Sequence, residues 1–205
     1  MTKPATKRFR PSDWFERLFG FVECQALADT QAHFELRDTT LISKKRPDRP
    51  FKAGQFETVR LADIRRRVED DKLLENQRMM GKLCVREVVG DVSLLHAQSE
   101  NRYSLFQAAS QFNCLEHPTQ HGVPEDGITC YANDKTQGPA CATACAAGTA
   151  VRNDFTHDGK GQNRIRQIEN LADVERVLDN SKHAYFSVRN GCTNDFSAWR
   201  QLQSK

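Results

Sequence analysis

The sequence predicts an α/β domain, and three observations predict it. Apolar residues recur at helical spacing in residues 14–22, 61–68 and 165–178. Short apolar runs bounded by Gly, Asn and Asp lie between these stretches, as buried strands do. With 205 residues, of which 38% are hydrophobic, the chain is long and apolar enough to enclose a core. Helices interleaved with short buried strands pack as layers around a sheet.

The elements follow in order. Residues 1–11 read as a basic tail, and 12–205 as one domain. Ser12 and Asp13 supply N-cap chemistry for a first helix that carries Trp14, Phe15, Leu18, Phe19 and Val22 and ends near Gln25. Residues 33–43 are strand-like with a turn at Asp38-Thr39, and 44–50 form a polar loop. Leu61, Ile64 and Val68 mark a second helix. Residues 83–89 read as a strand ending at Gly90-Asp91, and 105–109 as a short buried strand. A loop-rich region, 113–138, has turn signals at Glu125-Asp126-Gly127 and Asn133-Asp134. Pro139 suits the first position of a small-residue helix over 140–153. Ile165, Ile168, Leu171, Val174 and Leu178 mark another helix, and 184–188 a last strand before Asn190-Gly191.

Composition narrows the function classes. A net charge of +3 gives no strong pull toward nucleic acid or an anionic membrane, and the basic clusters lack interleaved aromatics. No apolar run approaches the roughly 20 residues that span a bilayer, and the N-terminus has no secretory pattern. A cytoplasmic location without membrane partners is therefore expected. Seven cysteines without a Cys-x-x-Cys pair suit reduced thiols. Cys114, His117, His121, Cys130, Cys141 and Cys145 admit a zinc reading, but they lack the paired spacing of structural zinc sites, so neither a metal nor another cofactor is expected.

Chemistry concentrates in 90–154. In Thr136-Gln137-Gly138-Pro139-Ala140 a polar loop meets a helix start, where free N–H groups and the macrodipole favour a diphosphate; an ordinary capped helix explains the same string. Ser110 and Asn113 fall at the polar end of the 105–109 strand, suited to sugar hydroxyls or to capping backbone groups. Glu125, Asp126 and Asp134 share the loop before the helix, where carboxylates accept a proton from water, stabilise a glycosidic cation, or make local turns. Arg152 suits either a phosphate contact or a helix C-terminus.

Several strings occur together: Gly90-Asp-Val92, Phe106-Gln-Ala-Ala-Ser-Gln-Phe-Asn-Cys-Leu-Glu116, Pro124-Glu-Asp-Gly127, Tyr131-Ala-Asn-Asp-Lys-Thr-Gln-Gly-Pro-Ala-Cys-Ala142 and Gly148-Thr-Ala-Val-Arg-Asn153. In this order they resemble the MavL-type branch of the macrodomain and poly(ADP-ribose) glycohydrolase group, which binds ADP-ribose and removes it from modified targets. The resemblance implies a macrodomain-like α/β/α sandwich with a mixed central sheet. It implies that Asp91 meets the adenine, that Gln107, Ser110 and Asn113 hold the distal ribose, and that Thr136 to Ala140 line the diphosphate. It further implies contact and hydrolysis by Asp126 and Asp134, with ADP-ribose or an ADP-ribosylated macromolecule as partner. The chain departs from the group in carrying Gln107-Ala-Ala-Ser110 where macrodomains have Asn-Ala-Ala-Asn, and in lacking a triple-glycine loop with paired glutamates. A non-catalytic module that senses or sequesters an ADP-ribose-derived nucleotide is the alternative to a hydrolase.

Overall fold

The computed structural model describes residues 13–71, 82, 84–106, 111–116, 122–189 and 192–194. It is a mixed helix-and-strand structure that divides into two units, Met1–Phe56 with Asp91–Lys205, and Glu57–Gly90.

In the first unit, helix α1 (Trp14–Phe19) buries Phe15 and Phe19, one turn apart. It stops at Gly20, whose left-handed φ of 83° lets its N–H return to the Glu16 carbonyl. The first helix therefore ends well before Gln25, and Val22, expected on its buried face, is exposed. A second helix that the sequence pattern did not announce, α2 (Leu27–Ala32), follows and buries only Thr30. Strands β1 (Phe34–Arg37) and β2 (Thr40–Ser43) form the expected hairpin, with Asp38 at φ 51° in its turn. Leu36 pairs with Leu41, and β3 (Phe51–Lys52) adds to β2 through Leu41 and Phe51. Phe15, Phe19, Phe21 and Phe34 pack against one another edge to face beside this sheet.

The small-residue stretch forms two helices, α5 (Gln137–Ala144) and α6 (Ala146–Asp154), after the short α4 (Val92–Ala97). The break falls at Cys145, and the first of the two helices begins at Gln137, so Pro139 sits in its first turn and not at its first position. Small side chains do bring helix and sheet together. A Cβ on Gly148 would lie 3.0 Å from the Ala53 carbonyl oxygen at the end of β3, so only glycine allows this approach without displacement.

The C-terminal part differs more from the sequence pattern. Helix α7 (Thr156–Gly159) is a single turn. Of the helix expected over 165–178, only α8 (Ala172–Val177) forms. Upstream, side chains compete for the backbone: Asn163 Oδ1 accepts from the N–H groups of Ile165 and Arg166, Gln162 Oε1 from Ile168, and Glu169 Oε1 from Leu171. The strand expected over 184–188 forms as β4 (Ser187–Arg189), antiparallel to β5 (Cys192–Asn194).

In the second unit, α3 (Leu61–Asp70) forms where helical spacing placed it, with Leu61, Ile64 and Val68 exposed. Residues 84–89, expected as part of a strand, have no regular structure, and Val85 and Val89 are 82% and 97% exposed. A hydrophobic run becomes a strand only when a neighbour pairs with it, and no described residue does so here. The same holds in the first unit for the expected buried strand at 105–109: Leu105 is fully exposed, and 107–109 lie outside the described residues. Among the described residues every strand pairing is antiparallel. No helix among them is long and apolar enough to cross a membrane.

Candidate functional site

Asp91 is the N-cap of α4. Its Oδ1 accepts from the Ser93 N–H at 2.9 Å, and its Oδ2 lies 3.1 Å from Lys135 Nζ. Hydrogen bonding from Lys135 is the chief reason the Asp91 carboxyl stays below its ordinary pKa. The Val92 N–H also donates to the Lys135 carbonyl, at 3.3 Å. These contacts bring Asp91 against the loop that opens α5, although more than 40 residues separate them. Phe106 and Cys141 meet the same corner: His96 stacks on the Phe106 ring at 3.8 Å between centroids, and its Nε2 is 3.2 Å from Cys141 Sγ. Burial pushes the Cys141 thiol up, toward the neutral form.

Asp134 Oδ1 accepts from both the Thr136 N–H (2.8 Å) and the Thr136 hydroxyl (2.6 Å). Thr136 is the N-cap of α5 and is exposed, as is Gln137, whereas Gly138, Pro139 and Ala140 are buried. A carboxylate thus already complements the positive end of this helix. Asn113 is 1% exposed; its Nδ2 donates to Gln167 Oε1 at 2.8 Å, and its Oδ1 accepts from the Leu115 N–H at 3.0 Å. The side chain expected to meet sugar hydroxyls holds a turn together. Gln107 and Ser110 lie outside the described residues.

Asp126 closes a single 3-10 turn, Pro124–Asp126, by accepting from the Val123 N–H at 2.9 Å. Its exposed side chain lines a cleft of about 420 Å³ together with Asp13, Phe15, Glu16, Glu23 and Thr129. Glu23 is the residue sequence reasoning missed here. Its carboxylate accepts from the Ile128 N–H and the Thr129 N–H, each at 2.8 Å, and from the Thr129 hydroxyl at 2.5 Å. Gly127, at φ 74°, makes this possible, because a Cβ there would come within 2.6 Å of the Glu23 carboxyl carbon. Nothing in the local sequence around Glu23 signals a partner more than 100 residues away.

Asp154, at the end of α6, is a second missed acid. It is 2% exposed and accepts from Asn153 Nδ2 at 3.0 Å. Burial, reinforced by the charge of Glu23, raises its carboxyl to about 8, so it is protonated at neutral pH. Among the described residues no three His, Cys, Asp or Glu side chains group as metal ligands.

With this geometry in hand, comparison with protein-family models, curated proteins and solved structures finds no match.

Proposed function

We propose that this chain is a macrodomain-like α/β/α protein that binds ADP-ribose at the corner between α4 and the start of α5, and that it hydrolyses ADP-ribosyl linkages with Asp126 and Asp134. The observation that carries the reading is the ion pair between Asp91 and Lys135, supported by the Val92–Lys135 hydrogen bond. It sets the carboxylate expected to meet adenine next to the segment expected to line the diphosphate. Those two segments belong to the strings that resemble the MavL-type group. Lys135 adds a cation, 74% exposed at its side chain, to the loop at which an anionic ligand would arrive.

A non-catalytic binding module is the second reading, and one observation favours it. Asp126 and Asp134 both spend a carboxylate oxygen on local backbone N–H groups, which suits turn formation as well as proton transfer. Calorimetric titration with ADP-ribose, followed by turnover of ADP-ribosylated protein, tests both readings. Lys135→Ala should weaken ADP-ribose binding about tenfold, as the loss of one charge-assisted contact does. Asp126→Ala and Asp134→Ala should abolish turnover while binding persists. No binding by the parental protein at millimolar ADP-ribose would end the proposal. Binding without turnover in the parental protein would leave the sensing module.

A further inference from the structure

Helix α1 and its N-cap divide their charged residues between two clefts. Asp13 and Glu16 line the cleft that holds Asp126. Trp14, Arg17 and Leu18, at spacings of three and four residues, line another. Arg49, just before β3, completes this second cleft, which is about 280 Å³ in volume and open to solvent. Among the described residues no carboxylate lines it, and both arginines are exposed.

The walls of this cleft are held in place by the fold. Trp14 Nε1 donates to the Thr129 carbonyl at 3.0 Å, and the indole meets the Phe15 ring edge to face at 5.6 Å. Leu18 packs against the hydrophobic core. The Arg49 guanidinium lies over the Phe51 ring, 5.5 Å from its centroid, and enters no ion pair among the described residues. Side chains already held in position lose little freedom when a ligand arrives. Two cations lining one cleft repel each other, and an anion between them relieves that repulsion. A phosphate monoester, doubly charged near neutral pH, answers both guanidinium groups with oxygens suited to their forked geometry, and better than a singly charged carboxylate does. The indole and Leu18 add an apolar wall for a flat ring. Sites for drug-sized ligands run from roughly 300 to 1,000 Å³, so a cleft just below that range suits one ring with one phosphate and not a dinucleotide.

We propose that Trp14, Arg17, Leu18 and Arg49 form a binding site for a phosphate monoester carried on an aromatic ring, with the ring against Trp14 and Leu18 and the phosphate between the arginines. The site uses none of the residues given to ADP-ribose above, and stands or falls separately from that reading. The test is an NMR titration of the full chain, read at the Trp14 indole N–H. The probes are phenyl phosphate, inorganic phosphate, phenol and a phosphotyrosine peptide. Phenyl phosphate should bind more tightly than phosphate or phenol, and Arg17→Gln and Arg49→Gln should each lower its affinity at least about tenfold. Both side chains are exposed, so both variants should melt at the parental temperature, which separates lost binding from lost folding. Affinity should rise between about pH 5 and pH 7, as the ester takes its second charge. Tighter binding of the phosphotyrosine peptide than of phenyl phosphate assigns the site to a modified partner protein, and the reverse order to a free small molecule; either order supports the aryl phosphate. Three results would each overturn the proposal: no shift of the Trp14 signal at about 10 mM phenyl phosphate, an equal affinity for inorganic phosphate, or undiminished binding in both variants.

Discussion

The segment from Phe15 to Phe51 and the segment from Asn113 to Asn180 both bury side chains almost completely, but by different means. In the first, Phe15, Phe19, Phe21 and Phe34 meet edge to face over a three-stranded sheet, at centroid distances from 4.8 to 6.2 Å. Two polar side chains are buried in this segment: the Ser43 hydroxyl donates to the Phe19 carbonyl, and the Thr30 hydroxyl accepts from the Cys24 N–H. In the second, Asn113, Asn153, Gln162 and Asn180 are at most 2% exposed, and each turns its amide onto backbone or another polar side chain. Apolar burial is non-directional and tolerates small shifts, so it builds a scaffold. Buried amides are directional and costly when unpaired, so they fix irregular loops in one conformation. The orphaned oxygens of Glu116, Glu125 and Asn153, and the carboxyls of Glu116 and Asp154 that burial raises, belong to the second region.

The largest expected effect tests the scaffold. Phe19→Ala removes a fully buried ring that touches Phe15, Phe34 and Phe51, and should cost about 3–5 kcal/mol in chemical denaturation. A loss below about 1 kcal/mol would mean that the aromatic cluster does not carry the fold. Asp154 offers the next test. Its folded pKa, about 8, lies above that of an unfolded aspartate near 4, so the folded state holds a proton that the unfolded state releases. The stability it contributes is complete at low pH and declines as pH rises toward 8, with a slope of at most about 1.4 kcal/mol per pH unit. Melting curves between pH 6 and 9 should therefore fall less steeply for Asp154→Asn than for the parental protein. Parallel curves would show that Asp154 does not titrate in this window.

Smaller effects sharpen the comparison. Asn180 is fully buried; its amide donates to the Phe186 carbonyl and accepts from the Tyr185 N–H, so Asn180→Ala should cost about 1–3 kcal/mol, less than the loss of Phe19. A reversed order in urea unfolding would make amides, not aromatics, the stronger tie. Asp126→Ala should change stability by no more than about 0.5 kcal/mol, since the side chain is exposed and makes one turn contact. A large loss of stability would recast Asp126 as a structural acid and remove it from the proposed chemistry.

Local sequence determined what depends on neighbours in the chain. The hairpin turn at Asp38, the helix at Leu61–Asp70 and the helical character of the small-residue stretch all follow from spacing, turn residues and propensity, which act over a few positions. Tertiary structure alone decided the rest. It left residues 84–89 without a pairing partner among the described residues. It also assembled pairs distant in sequence, Asp91 with Lys135, and Glu23 with Ile128 and Thr129. The reason is one of range. Propensity and periodicity are summed over a few consecutive residues, whereas burial, hydrogen-bond satisfaction and pKa depend on whatever the folded chain brings within a few ångströms, at any separation in sequence.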